Sequence, residues 1–445
     1  MNYIKRFSVV GLFGTNNVDI LFDENKKILI GENGLGKTQI LNLLYYTLTR
    51  NFLRLNDFNF EKLIIVFEND EKKYIEIKKD GIQKSIDKLY KETEIKEFIK
   101  EFGYAQFESL SKRFNQKKRN SYELERLLET NSKFRKYPIH RLFRFFEDFE
   151  KEFKFNPAFK ELDLKIQKEL GSSEIMYFPT YRRVEEDLHN LGYNDDEFLE
   201  EDTTLIQFGM DDVQRKFTQL ESKIDKLLKE GLTQFTKDVL NIVIDDNEFE
   251  NNVLEKTNEE DINLILSRVG SLLSDVQKES IKNIVIAKKV NNPLSIHLLN
   301  KLVESYEKQK PLDKLIKIFK DACNKYLVNK EVFYDESNIN IYIKSKITNN
   351  IIDLKNLSSG EKQIVSIFSK VYLSSEDKRF IVLFDEPELS LSMIWQKELL
   401  PDIVNSNKCD FLLAVTHSPF IFDNELDKYA VGLNEYYSIS KENLL

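Results

Sequence analysis

Gly31-Glu32-Asn33-Gly34-Leu35-Gly36-Lys37-Thr38 follows the apolar run Lys27-Ile28-Leu29-Ile30 and precedes a helical pattern that opens at Gln39 and returns at Ile40, Leu43, Leu44 and Leu48. Glycines spaced this way between a strand and a helix make a phosphate-binding loop. Backbone N–H groups turn inward around phosphate oxygens, the helix N-terminus adds a partial positive charge, and Lys37 adds a full one. Thr38 is placed to ligate Mg²⁺. Gly31, Asn33, Gly34, Gly36, Lys37, Thr38 and Gln39 are therefore the expected contacts for nucleotide phosphates. The plainer alternative is an ordinary turn before a helix, and motifs near the other end of the chain weigh against it.

Ile381-Val382-Leu383-Phe384-Asp385-Glu386-Pro387 is an apolar run ending in two carboxylates. That is the form of a buried parallel strand delivering acids to a nucleotide site. Asp385 is expected to hold the Mg²⁺ water shell and Glu386 to polarise the attacking water. Upstream, Asn356-Leu357-Ser358-Ser359-Gly360-Glu361-Lys362-Gln363 opens a helix that continues through Ile364, Ile367 and Phe368. A Ser-Ser-Gly turn at a helix start presents N–H groups and a hydroxyl to an anion, although taken alone it also reads as an ordinary N-cap. Downstream, Phe411-Leu412-Leu413-Ala414-Val415-Thr416 is an apolar strand leading into His417.

Placed downstream of a phosphate-binding loop and upstream of an Asp-Glu strand, the serine turn resembles the signature sequence of ABC ATPases, with Ser359 where most members have glycine. The resemblance implies that Ser358, Ser359 and Gly360 close over nucleotide bound by a neighbouring subunit, and that His417 is the switch histidine touching the γ-phosphate. Glu388-Leu389-Ser390-Leu391-Ser392 resembles the loop through which two such monomers communicate, with Ser392 replacing the usual aspartate. Lys37, Glu386 and His417 are then the expected catalytic residues, with Thr38 and Asp385 at the metal.

Length and composition allow a sizeable core: 445 residues, 41% hydrophobic and 12% aromatic, with more than one structural unit expected. No apolar stretch reaches the roughly 18 residues that cross a bilayer, and the first residues lack the apolar core of a secretory signal, so the expected location is cytoplasmic, without a membrane partner. Cys323 and Cys409 lie far apart, which suggests neither a disulfide framework nor a zinc site. A net charge of −9 argues against even coating by nucleic acid. The basic stretch Lys112-Arg113 to Lys117-Lys118-Arg119, with Phe134, Phe143 and Phe145 further on, could contact bases, or could be an amphipathic helix with solvated charges. The acidic run 195–202 reads as a solvated loop.

The pattern along the chain predicts an α/β fold, a mixed sheet flanked by helices and interrupted by helical insertions; the resemblance implies that this is a split ABC ATPase head. Residues 1–110 read as the N-terminal lobe, 111–173 as a helical insertion, 174–190 as a strand returning to the ATPase sheet, 191–330 as a second helical insertion, and 331–445 as the C-terminal lobe. In the second insertion, Val213, Phe217, Leu220, Ile224 and Leu227 form a short heptad seam; Gly231 and the lack of further heptads predict compact helices instead of a long arm. Thr257 and Glu260 suggest a capping box before Ile262, Ile265 and Val269. Strands are expected at 331–334, 339–343 and 351–354.

The wide separation of the phosphate-binding loop from the signature and the Asp-Glu strand is the arrangement of the SMC, RecF and overcoming-lysogenization-defect-like ATPases, which 1–70 and 350–425 resemble. Gly11-Leu12-Phe13-Gly14 and Tyr177-Phe178-Pro179-Thr180-Tyr181-Arg182-Arg183 further resemble the ATPase subunits of bacterial anti-phage systems, first those of PARIS and second those of Septu. Only 28 residues follow His417 in the chain of 445, too few for a TOPRIM nuclease, and the four histidines (His140, His189, His297 and His417) are scattered, unlike an HNH site. The resemblance therefore implies a homo-oligomer with composite ATP sites. Its partner would be a separately encoded effector nuclease, TOPRIM-type in PARIS or HNH-type in Septu, set off by a phage trigger protein. The other class the residues allow is a RecF/SMC-like DNA-repair ATPase that binds DNA directly.

Overall fold

The computed structural model describes residues 4–22, 24–32, 34–52, 54–67, 74–89, 157–180, 210–244, 259–268, 274–286 and 293–439. In chain order the strands are β1 (Arg6–Leu12), β2 (Asn16–Leu21), β3 (Lys26–Ile30), β4 (Lys62–Val66), β5 (Tyr74–Lys78), β6 (Glu174–Phe178), β7 (Lys330–Asp335), β8 (Asn340–Ser345), β9 (Ile351–Ile352), β10 (Phe380–Asp385), β11 (Cys409–Thr416), β12 (Ala430–Gly432) and β13 (Tyr437–Ile439). The α-helices are α1 (Lys37–Leu48), α2 (Lys79–Leu89), α3 (Pro157–Leu170), α4 (Asp211–Ile244), α5 (Glu259–Arg268), α6 (Asp275–Ile286), α7 (Pro293–Asn324), α8 (Ser359–Tyr372) and α9 (Met393–Val404). The contacts divide the chain into two units: 1–180, 378–388 and 396–445 form the first, and 181–377 with 389–395 the second.

The first unit sorts its strands into two sheets by direction. One is antiparallel, in the order β13-β2-β1-β4-β5, and the other is parallel, in the order β12-β3-β11-β10-β6. Alternation explains the antiparallel sheet: in β1, Phe7 and Val9 are buried, while Arg6 sits on the other face and clamps Asp19 of β2 with two hydrogen bonds of 2.7 and 2.8 Å. The expected hairpin at 62–78 is β4 paired with β5, its turn at 69–70 lying outside the described residues. A parallel strand covered on both faces carries a continuous apolar run, and all six residues of β10 are buried. Phe178 of β6 stacks on Phe384 of β10 at 4.2 Å, and Phe22 meets Phe411 of β11 edge-on at 5.1 Å. Cys409 and Cys323 are both free thiols, and burial pushes the Cys409 thiol up to about 12.

In the second unit β7, β8 and β9 form an antiparallel sheet, β7-β8-β9. The predicted seam lies on α4, with Val213, Phe217, Leu220 and Ile224 buried. Gly231 does not stop this helix, which runs on to Ile244. A Cβ at Gly231 would lie 1.9 Å from the Ser305 hydroxyl oxygen of α7, so the missing side chain lets two helices approach closely instead of breaking one. Helix α5 begins at Glu259 and buries Ile262 and Ile265; Thr257 of the expected capping box and Val269 lie outside the described residues, as do the basic stretch 112–119, the acidic run 195–202, Asn33, His140 and His189. No helix among the described residues is long and apolar enough to cross a membrane.

Candidate functional site

Strand β3 delivers the chain to the phosphate-binding loop, and α1 starts at Lys37. Gly36 is the N-cap in the left-handed region (φ 73°), a conformation glycine adopts without the steric cost of a Cβ. The aromatic tip of Phe13 also presses on that position, 2.9 Å from where a Cβ would stand. Lys37 is 5% exposed. Its ammonium donates to the carbonyls of Gly31 (2.7 Å) and Glu32 (3.0 Å) and stands 2.5 Å from His417 Nε2. Burial pushes the Lys37 ammonium below the ordinary lysine range, against the opposing pull of the Glu386, Asp385 and Glu388 carboxylates. A buried cation bonded to two carbonyls is half-compensated, and an incoming phosphate would supply the missing anion.

The parallel sheet brings the acids to the same place. β11 lies between β3 and β10, so the C-terminal ends of all three open on one edge of the sheet, where α/β folds bind ligands. Asp385 is the last residue of β10 and is 2% exposed. It accepts a hydrogen bond from the Thr38 hydroxyl at 3.1 Å. Glu386 follows in a left-handed conformation (φ 50°), its N–H bonded to Val415 O of β11 at 2.9 Å. A non-glycine residue held there is strained, and such strain gathers at functional positions. The Glu386 carboxylate lies 3.6 Å from His417 Nε2. Lys37, Thr38, Asp385, Glu386 and His417, read from segments some 350 residues apart, thus share one cluster within the first unit. Gly31 and Gly34 line the loop, with Gly34 at φ 91°, and Gln39 is a half-buried residue of the first turn of α1.

A hydroxyl and a carboxylate are oxygen donors that suit a hard cation such as Mg²⁺, which binds through one or two carboxylates together with phosphate oxygens and water. Among the described residues no group of three or more His, Cys, Asp or Glu could hold a metal by itself. Thr38 and Asp385 would therefore hold Mg²⁺ jointly with nucleotide.

The serine turn that resembles the signature sequence belongs to the second unit. Ser358 is the N-cap of α8 in a full capping box: its N–H and hydroxyl donate to the Glu361 carboxylate at 2.8 and 2.9 Å, and the Glu361 N–H returns to the Ser358 hydroxyl oxygen at 3.4 Å. Burial would raise the Glu361 carboxyl, but the bond from Lys330 at 2.7 Å and those from Ser358 outweigh it and hold it below the usual range. The N-cap reading of this turn holds, and Ser358 and Ser359 are both exposed. Gly360 is buried, and a Cβ there would lie 2.4 Å from Ser390 O, so the loop 389–392 packs directly on the signature turn.

Two residues of the first unit escaped the sequence reading. The Thr180 hydroxyl, just beyond β6, donates to the second oxygen of Asp385 at 2.8 Å. One oxygen of Glu388 accepts the N–H groups of His417 (2.8 Å) and Ser418 (3.2 Å) and so fixes the turn that carries the histidine. The sequence placed Glu388 at the start of the segment 388–392 and as the third acid of Asp385-Glu386-Pro387-Glu388, with no hint that it holds the His417 turn.

A phosphate-binding loop set beside an Asp-Glu strand on a parallel sheet defines a phosphate-loop nucleotide hydrolase. The profile of the AAA ATPase domain matches residues 3–422, so the chain belongs to that family and is a nucleotide-binding ATPase. Among solved structures the chain is similar to the SmcHead bound to the C-winged helix domain of ScpA (12% identity, 94% of this chain and 90% of that chain, TM-score 0.36). It is also similar to the Smc head domain with an extended coiled coil bound to the C-terminal domain of ScpA derived from Pyrococcus furiosus (10% identity, 99% and 96%, TM-score 0.38). A third is the Smc head domain with a coiled coil and joint derived from Pyrococcus yayanosii (17% identity, 95% and 93%, TM-score 0.34). No curated protein matches the chain.

Proposed function

We propose that this ATPase is the sensor and scaffold of an anti-phage defence system, holding a separately encoded toxic nuclease and releasing it when a phage protein is sensed. The reading rests on the clustering of Lys37, Thr38, Asp385, Glu386 and His417 for the ATP chemistry. For the defence role it rests on the resemblance of Gly11–Gly14 and Tyr177–Arg183 to the PARIS ATPase AriA, with the Septu ATPase PtuA as the second choice. Lys37 would face the β- and γ-phosphates, Thr38 and Asp385 would hold Mg²⁺, Glu386 would orient the attacking water, and His417 would contact the γ-phosphate. Co-expression with a nuclease gene encoded beside it tests this. Protection from phage is expected only with Lys37 and Glu386 intact, and this chain alone is expected to leave host DNA and RNA whole. DNA binding by the isolated chain, with no neighbouring nuclease required for its effect, would instead favour a RecF-like repair ATPase.

The same proposal makes the active site composite. Ser358 and Ser359 are exposed at the start of α8, and a helix N-terminus suits a phosphate, although the Ser358 N–H is itself held by Glu361. Lys37→Ala lacks the loop cation and Ser358→Arg blocks the signature, so each alone is expected to be inactive. An equimolar mixture should regain activity, because one site then pairs an intact loop from one chain with an intact signature from the other. A mixture as inactive as its components would mean that each chain completes its own site.

A further inference from the structure

Asp385 is the buried carboxylate of the cluster, and each of its two oxygens accepts a hydrogen bond from a hydroxyl: Thr38 on one at 3.1 Å and Thr180 on the other at 2.8 Å. Thr38 belongs to the phosphate-binding loop. Thr180 comes from a different part of the chain, 205 residues before Asp385. Its place is built rather than accidental. β6 runs parallel to β10 in register, Phe178 opposite Phe384, so the chain leaving β6 passes beside the end of β10. The stacked pair Phe178–Phe384 fixes β6 to β10, and one residue earlier the Tyr177 hydroxyl donates to Asn42 of α1 at 2.8 Å while its ring packs on Tyr45 at 4.7 Å. Strand β6 is thereby anchored both to the acid-bearing strand and to the helix of the phosphate-binding loop, immediately before Thr180.

We propose that Thr180 is a positioning residue for the metal: its hydroxyl fixes the rotation of the Asp385 carboxylate so that the other oxygen faces the Thr38 hydroxyl and the cation between loop and acid. The inference rests on the assignment of Thr38 and Asp385 as the Mg²⁺ site. A carboxylate in a buried pocket can turn about its terminal bond, a broad torsion with no sharp minimum. One hydroxyl on each oxygen removes that freedom, and outer partners of this kind carry about 10–100-fold in metal affinity. Removing the Thr180 hydroxyl should leave the Asp385 carboxyl in place but free to turn away from the metal.

The test uses the full chain, a non-hydrolysable ATP analogue, and Mn²⁺ as a paramagnetic stand-in titrated by electron paramagnetic resonance. Thr180→Val, which keeps the shape and loses the hydroxyl, is expected to weaken Mn²⁺ binding about 10–100-fold. Binding of the analogue in excess chelator should stay at the wild-type level, and Thr180→Ser should restore Mn²⁺ affinity. Wild-type Mn²⁺ affinity in Thr180→Val would overturn the proposal, as would a Thr180→Ser variant as weak as the valine. Should the valine variant lose metal-free nucleotide binding through misfolding, Thr180→Ala and Thr180→Ser decide in its place: weak binding by the alanine and normal binding by the serine support the role, and equal behaviour of the two rejects it. Asp385→Asn separates the two layers. If it loses Mn²⁺ while Thr180→Val does not, the positioning role alone fails; if it binds Mn²⁺ normally, the Thr38–Asp385 metal site fails with it.

Discussion

Glu386→Gln is expected to bind ATP as tightly as the wild type and to hydrolyse it about 10²–10⁴-fold more slowly, the range carried by a positioned general base. The two adjacent acids are divided by their surroundings. Asp385 is buried and held by two threonine hydroxyls, so it is fixed and suited to a metal. Glu386 lies one residue beyond the strand with its side chain 24% exposed, bonded to β11 only through its backbone, and its carboxylate is within reach of both water and His417. Glutamine preserves the shape and the neutral hydrogen bonds while removing the negative charge that draws a proton from water. Loss of chemistry with retention of binding should trap ATP in the site. Lys37→Ala should do the opposite: it deletes a charged donor worth about 1.5–3 kcal/mol, so ATP binding itself weakens. Single-turnover hydrolysis with equilibrium binding distinguishes the two. Turnover by Glu386→Gln at the wild-type rate would remove Glu386 from the water-activating role.

The parts of the site that were legible in the sequence are those in which a local pattern carries a local meaning. Ile381 to Phe384 reads as a strand buried on both faces because no polar residue interrupts it, and β10 is buried throughout. Glycines followed by Lys37 and Thr38 read as a phosphate-binding loop because the backbone geometry and the charge lie within eight residues. What the sequence hid depends on partners far along the chain. Nothing near Thr180 announces that its hydroxyl ends on Asp385, and Glu388 looks like one more loop acid until His417 is seen folding back onto it. Gly231 is ambiguous for a different reason. Glycine weakens a helix but also lets another helix come close, and only Ser305 across from it decides which effect prevails. β12 and β13 are three residues each, too short to show any alternation, yet they close the edges of the parallel and antiparallel sheets.

Asp313→Ala is expected to destabilise the second unit by about 3–5 kcal/mol, the cost of leaving a buried charge without its partner. Arg268 of α5 and Asp313 of α7 pair at 2.8 Å with side chains only 1% and 3% exposed. The guanidinium spends three of its other donors on Gln309 (2.8 Å), the Glu336 carbonyl (2.8 Å) and the Tyr334 hydroxyl (3.1 Å), while Tyr334 in turn donates to Asp313. Burial first, and then the Asp313 charge, push the Tyr334 phenol above its ordinary range, so it stays protonated and able to donate. Removing Asp313 therefore strands a guanidinium and a phenol together. Replacing both charges by apolar groups, as in Arg268→Met with Asp313→Leu, should cost much less, because no unpaired ion remains. Trp395 is the only tryptophan of the chain and lies in the second unit, 5.8 Å from the ring of Tyr326, so its fluorescence reports unfolding of that unit. In a urea titration the single variant should lose its Trp395 signal at a clearly lower midpoint than the double one. Equal midpoints for Asp313→Ala and the wild type would show that the pair contributes nothing to holding α5 against α7.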